Sequence, residues 1–199
     1  MNTHTQRAIV LSLLVLLMAA TRTHVFSHFA PVPDASWAVF FIGGFYLRAW
    51  TRWAFPLLMA LAVLIDWWVI SSQGISFWSH YCVSPGYWFL IPAHLAMWLG
   101  GLWLARHYKG ASVAALGRLA ASLFAATALC HLLAQGSFYW LSSSVAEPTF
   151  AGWWKNYSDW FLPYLRSTAM FVAVAAIAQV ASEQIVKHSH AGAQERKQR

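Results

Sequence analysis

The chain has 199 residues, enough for one domain, and is 59% hydrophobic with 10% charged residues. Soluble domains run nearer roughly half apolar and a quarter charged, so the composition points to lipid as the solvent and excludes an ordinary water-soluble fold. The net charge of +7 does not describe a nucleic-acid binder, because Lys and Arg are dispersed between apolar segments instead of gathering on one polar face.

A helix needs about 20 largely apolar residues to cross about 30 Å of hydrocarbon, and only helices or closed barrels satisfy their backbone there. The apolar runs are of helix length and do not alternate as barrel strands would. They predict an all-α membrane protein, one six-helix bundle over residues 1–189 with spans at 7–22, 35–50, 53–71, 85–107, 113–135 and 160–186. The first two are short. Residues 190–199 are polar, lack an apolar period and read as a disordered tail. The first span also fits a secretory signal, with Arg7, an apolar core and Ala19-Ala20 as a cleavage site; either way the chain emerges outside at Thr21.

Positive loops stay in the cytoplasm. With the amino terminus inside, the inner segments hold Arg7, Arg48, Arg52, Arg106, Lys109, Arg118, Lys187, Arg196, Lys197 and Arg199, and the outer ones only Arg22 and Lys155. Both termini are therefore expected to be cytoplasmic. Small residues such as Ala19, Ala20, Ala60, Ala62, Ala175 and Ala176 offer faces for close helix approach or for ordinary packing.

The outer segments are then 21–34, 72–84 and 136–159. They carry His24, His28 and Asp34; His80, Tyr81 and Cys82; and Tyr139, Glu147, Trp153, Trp154 and Tyr157. Such a set around the mouth of a helical bundle suits a metal-containing or large planar ligand, or else consists of interfacial aromatics and solvated histidines.

Cys82 is the most informative position. In Tyr81-Cys82-Val83-Ser84-Pro85-Gly86-Tyr87, Ser84 is a plausible N-cap and Pro85 a favoured first helical residue. A thiol just before a helix is favoured as thiolate by the helix dipole, His80 is at hand as a cation or base, and a thiolate is a soft metal ligand. The plain alternative is a buried, unreactive cysteine. Cys130, inside the fifth span, reads as packing, and the two cysteines as separate thiols.

Asp66 sits inside the third span, where an ionisable group is costly without a partner or role. It is placed either to hydrogen-bond a ligand beneath the outer loops or to bind a Tyr, Trp or His of a neighbouring helix. His94 and His131 invite the same question and read as structural. No HExxH pair, GxSxG elbow or phosphate-cradling loop occurs, so the chain carries no ATPase of its own.

Several stretches together resemble a known family. They are Met18-Ala-Ala-Thr-Arg-Thr-His24 with His28, Pro33-Asp-Ala-Ser36, Phe40-Phe-Ile-Gly-Gly-Phe-Tyr-Leu-Arg48, Ile65-Asp66, Tyr81-Cys82-Val-Ser-Pro85-Gly-Tyr87, Gly136-Ser-Phe-Tyr139 and Phe161-Leu-Pro-Tyr164. The chain is similar to the substrate-binding S-components of energy-coupling factor (ECF) vitamin transporters, specifically the BtuM type assigned to cobalamin.

The resemblance implies a six-helix receptor in the bacterial cytoplasmic membrane. It would capture vitamin B12 from the outer side and dock on a membrane T-component with two ATPases. It implies Cys82 as the cobalt ligand that displaces cyanide, with His28 on the opposite axial face as ligand or hydrogen-bond partner. Asp66, Tyr81, Tyr87 and Tyr139 would then meet the amides of the corrin edge. The competing expectation is a membrane redox protein holding haem or a quinone between helices, with His94 and His131 as the internal axial candidates.

Overall fold

The computed structural model describes residues 3–23 and 32–197. Among these the chain is all helical: α1 (Thr3–Arg22), α2 (Ser36–Tyr46), α3 (Thr51–Ser72), α4 (Leu90–His107), α5 (Val113–Leu141) and α6 (Phe150–Lys197). Short 3-10 turns at Arg48–Trp50 and Pro85–Phe89 lead into α3 and α4, and a third lies at Phe77–Ser79.

Five helical stretches are long and apolar enough to cross a membrane: Thr3–Arg22, Arg48–Ser72, Pro85–His107, Val113–Leu141 and Phe150–Ser189. Leu16, Leu64, Leu116, Val174 and Ile177 point outward from them. This outside-apolar arrangement is that of a multi-pass membrane protein.

The second expected span, 35–50, is the exception, because its α-helix has only 11 residues and rises about 16 Å, half the hydrocarbon thickness. It breaks at Leu47 and is finished by the 3-10 turn. Its surroundings explain how so short an element holds the centre: Ser36 and every residue from Ala38 to Gly44 are buried. At its crossing with α4 the backbones nearly touch. A Cβ on Gly44 would collide with the carbonyl of Trp98, and one on Gly101 with the carbonyl of Phe41. These glycines let the two backbones come into direct contact.

The chain's course between the two ends is fixed by side chains. His4 stacks near Trp50, with ring centres 6.1 Å apart, and Thr51 accepts a hydrogen bond from the Trp98 indole at 3.1 Å. At the other end Arg22, Asp34 and Asp66 meet. Residues 4–22, 34–50 and 51–66 thus each run between the same two levels.

Two element boundaries differ from expectation. The outer segment read at 136–159 shrinks to 142–149, because α5 continues to Leu141 and α6 begins at Phe150. Aromatic stacking favours the early start of α6: Trp154 lies on Tyr157 and Tyr157 on Phe161, with ring centres 5.8 and 5.7 Å apart and planes within 11° and 9°. At its far end α6 keeps helical backbone through Lys197, over residues 190–197 read as an irregular tail. Ala, Gln, Glu, Arg and Lys there are good helix formers, and a helix needs no apolar period when it projects past the bundle.

Candidate functional site

The Cys82 turn lies between α3 and α4 at the Arg22–Asp34–Asp66 end. Pro85 takes the first position of its 3-10 turn, as expected, and Ser84 has the extended backbone of a cap. The Ser84 hydroxyl, however, makes no capping bond and is buried without a partner among the described residues. The Ser84 carbonyl instead accepts the Tyr87 N–H at 2.9 Å, which tightens the first turn to 3-10 geometry.

Gly86 lets this turn lie on α5. A Cβ there would come 2.7 Å from the Ser137 carbonyl oxygen, and the Ser137 hydroxyl donates back to the Gly86 carbonyl at 3.1 Å. The cysteine turn is therefore pinned to a rigid helix.

Cys82 is half-buried and a free thiol. Its backbone N–H donates to Nδ1 of His80 at 3.3 Å, so His80 organises the turn through the main chain. Tyr81 is the neighbour of the Cys82 side chain, and interaction with that thiol raises the phenol above its ordinary range. The Tyr81 ring is largely exposed and packs beside His80 and Phe138 at 4.6 and 6.5 Å.

Beneath the turn lies a charged network. Arg22 donates from Nε and Nη2 to the two oxygens of Asp66, each at 2.7 Å, a bidentate pairing with the geometry of a strong ion pair. Nη1 reaches Asp34 at 3.2 Å and the Ser36 hydroxyl at 3.0 Å. The Tyr87 hydroxyl donates to Asp66 at 2.7 Å, and Tyr87 is within electrostatic reach of Cys82.

The carboxylate anomaly in the third span is thus answered by a partner. Arg22, counted in the sequence as an outer-loop charge, is the last residue of α1 and turns inward, its side chain only 15% exposed. Nothing in the one-dimensional pattern distinguishes an interfacial arginine from one that folds back onto a carboxylate 44 residues away.

The remaining candidates divide. Tyr81, Cys82, Tyr87 and Asp66 come together. Tyr139 does not join them through its hydroxyl, which accepts the Thr149 N–H at 3.2 Å and closes the 142–149 loop onto α5. His24 and His28 lie outside the described residues.

Cys130 is fully buried and unpaired, as packing requires. His94 and His131 are also fully buried. Each donates one ring N–H to a backbone carbonyl, of Leu90 at 2.7 Å and of Tyr157 at 3.0 Å. Each leaves its other ring nitrogen without a partner among the described residues. The Gln135 amide and Trp153 N–H, near the outer end of the α5–α6 contact, are buried and unpartnered in the same way.

Among the described residues no group of three or more His, Cys, Asp or Glu is placed to hold a metal ion. No model of a known protein family matches the sequence, and comparison with curated proteins gives no significant match.

Proposed function

We propose that the protein is a cobalamin-binding subunit of the bacterial cytoplasmic membrane, taking the vitamin from the outer side for uptake. The observation that carries this reading is the placement of Cys82: a half-buried free thiol on a turn pinned to a rigid helix. Cobalt in a corrin has four equatorial nitrogens and two axial positions. The Cys82 thiolate takes one of them by ligand substitution, forming the Co–S bond as cyanide leaves with the Co–C electron pair. No oxidant or reductant enters that step. In this reading Tyr81 and Tyr87 meet the corrin's amides, Asp66 sets the position of Tyr87 through its hydrogen bond, and His28 is the candidate for the opposite axial side.

The topology proposed is six spans with both termini cytoplasmic. Its support is the run of residues 34–50 between the same two levels as α1 and α3, and the basic residues at the opposite end from Cys82. The chain shows no nucleotide-binding motif, so in this reading energy for release inward comes from a partner, such as an ECF T-component with two ATPases, or from an ion gradient.

The test is the visible spectrum of detergent-purified wild type and Cys82→Ala after incubation with cyanocobalamin and removal of unbound vitamin. A shifted corrin spectrum retained by wild type and lost in Cys82→Ala is expected. No retained corrin in either overturns the reading and turns attention to haem, for which His94 and His131 keep one unpartnered nitrogen each.

A further inference from the structure

A groove of about 140 Å³ opens between α5 and α6 at the end of the bundle away from Cys82. Its walls are apolar: Phe41 and Phe45 of α2, Leu119 of α5, and Val172, Ala175 and Ala176 of α6. Along α6 it runs from Val172 to Val180, about 12 Å at helical rise, which is most of one leaflet's share of the hydrocarbon.

The groove ends in a polar rim whose hydrogen bonds are made internally. The Tyr46 hydroxyl donates to Gln179 at 2.9 Å and the Gln179 amide to Glu183 at 2.8 Å. Glu183 also accepts from the Tyr108 hydroxyl at 2.6 Å and the Ala111 N–H at 3.1 Å. Glu183, whose carboxylate accepts from all three donors, carries one negative charge against three exposed cations, Lys109, Arg118 and Lys187. Lys109 lies between the lining residues Tyr108 and Ala111, Lys187 is one turn beyond Glu183 on α6, and Arg118 reaches back to the His107 carbonyl at 3.3 Å.

An apolar groove open to hydrocarbon does not hold water. Its length takes in the larger part of a lipid tail, and the exposed cations Lys109 and Lys187 belong to the same segments as its polar rim, Tyr108 to Ala111 and the end of α6. Basic pockets between helices select anionic headgroups. We infer that this groove is a binding site for an anionic glycerophospholipid, with one acyl chain between α5 and α6 and the phosphate on Lys109, Arg118 and Lys187. The inference is independent of what Cys82 binds.

The experiment compares phosphatidylglycerol and phosphatidylcholine of identical chains, added to delipidated protein in mild detergent. Retained lipid is counted by native mass spectrometry, and Tm is followed alongside. Wild type should retain phosphatidylglycerol at least tenfold better and gain several degrees in Tm from it alone, since a ligand of the folded state stabilises it. The triple variant Lys109→Gln, Arg118→Gln, Lys187→Gln, altered only at exposed positions, should retain both lipids equally. Ala176→Phe, which fills the groove, should retain neither. Equal retention of the two lipids by wild type overturns the inference, as does phosphatidylglycerol retention unchanged in the triple variant.

Discussion

Arg22 and Asp66 illustrate how a membrane protein tolerates charge near its hydrophobic interior. Each alone would carry a desolvation penalty of several kcal/mol; together, in bidentate geometry and joined by Tyr87, they offset it. Arg22→Met strands Asp66 and should cost about 3 kcal/mol or more, whereas Asp66→Asn, which leaves Arg22 its contact with Asp34, should cost less. The double replacement Arg22→Met with Asp66→Leu should recover much of the Arg22→Met loss. Tyr87→Phe, removing one hydrogen bond, should cost about 1–2 kcal/mol. Reversible unfolding in graded denaturing detergent measures all of these, and a double variant worse than Arg22→Met alone would sink the account.

Tyr81 gives a test by titration. Its phenol, held protonated by interaction with the Cys82 thiol, should ionise at higher pH than a free tyrosine, for which the value is about 10. The tyrosinate signal assigned by difference with Tyr81→Phe should move back toward that value in Cys82→Ala. An identical titration in both backgrounds would mean that the two side chains do not interact.

At the scale of elements, helices announced themselves by apolar length: α3 falls within two residues of the expected bounds, α4 meets them once its leading 3-10 turn is counted, and α5 starts where expected. Ser112 caps α5 by accepting the Ala115 N–H at 3.1 Å, a signal that local sequence carries. Helix ends decided by tertiary contact were less legible. The first turns of α6 rest on aromatic stacking, and α2 is short because its glycines are spent on contact with α4.

The α2–α4 crossing is accordingly the most sensitive place to add a side chain. Gly44→Val or Gly101→Val should cost about 3 kcal/mol, at the upper end of overpacking penalties because backbone rather than a movable side chain is in the way. Yield of monodisperse protein and thermal stability report it. Gly117, with nothing near its Cβ position, should accept Ala without loss, and failure there would show that the effect is not one of close approach.

For the whole molecule, the proposed orientation is open to direct measurement. In a background of Cys82→Ala with Cys130→Ala, a single cysteine replacing the exposed Trp78 should react with a membrane-impermeant maleimide in intact cells. One replacing Lys187 should react only after permeabilisation. The reverse pattern would invert the molecule and place the Cys82 turn on the cytoplasmic side.

The membrane class, the positions of the long helices and the need of Asp66 for a partner were determined by the sequence alone. They rest on the hydrophobic content of contiguous residues and on the high energy of charge in lipid, both properties of the local chain. Tertiary structure decided what Asp66 is paired with, that His80 serves the backbone of the cysteine turn, that Tyr139 closes a loop, and that α5 and α6 separate into a groove. Each of these depends on groups brought together from distant parts of the chain, where hydrogen-bond geometry and the fit of side chains, not composition, set the outcome.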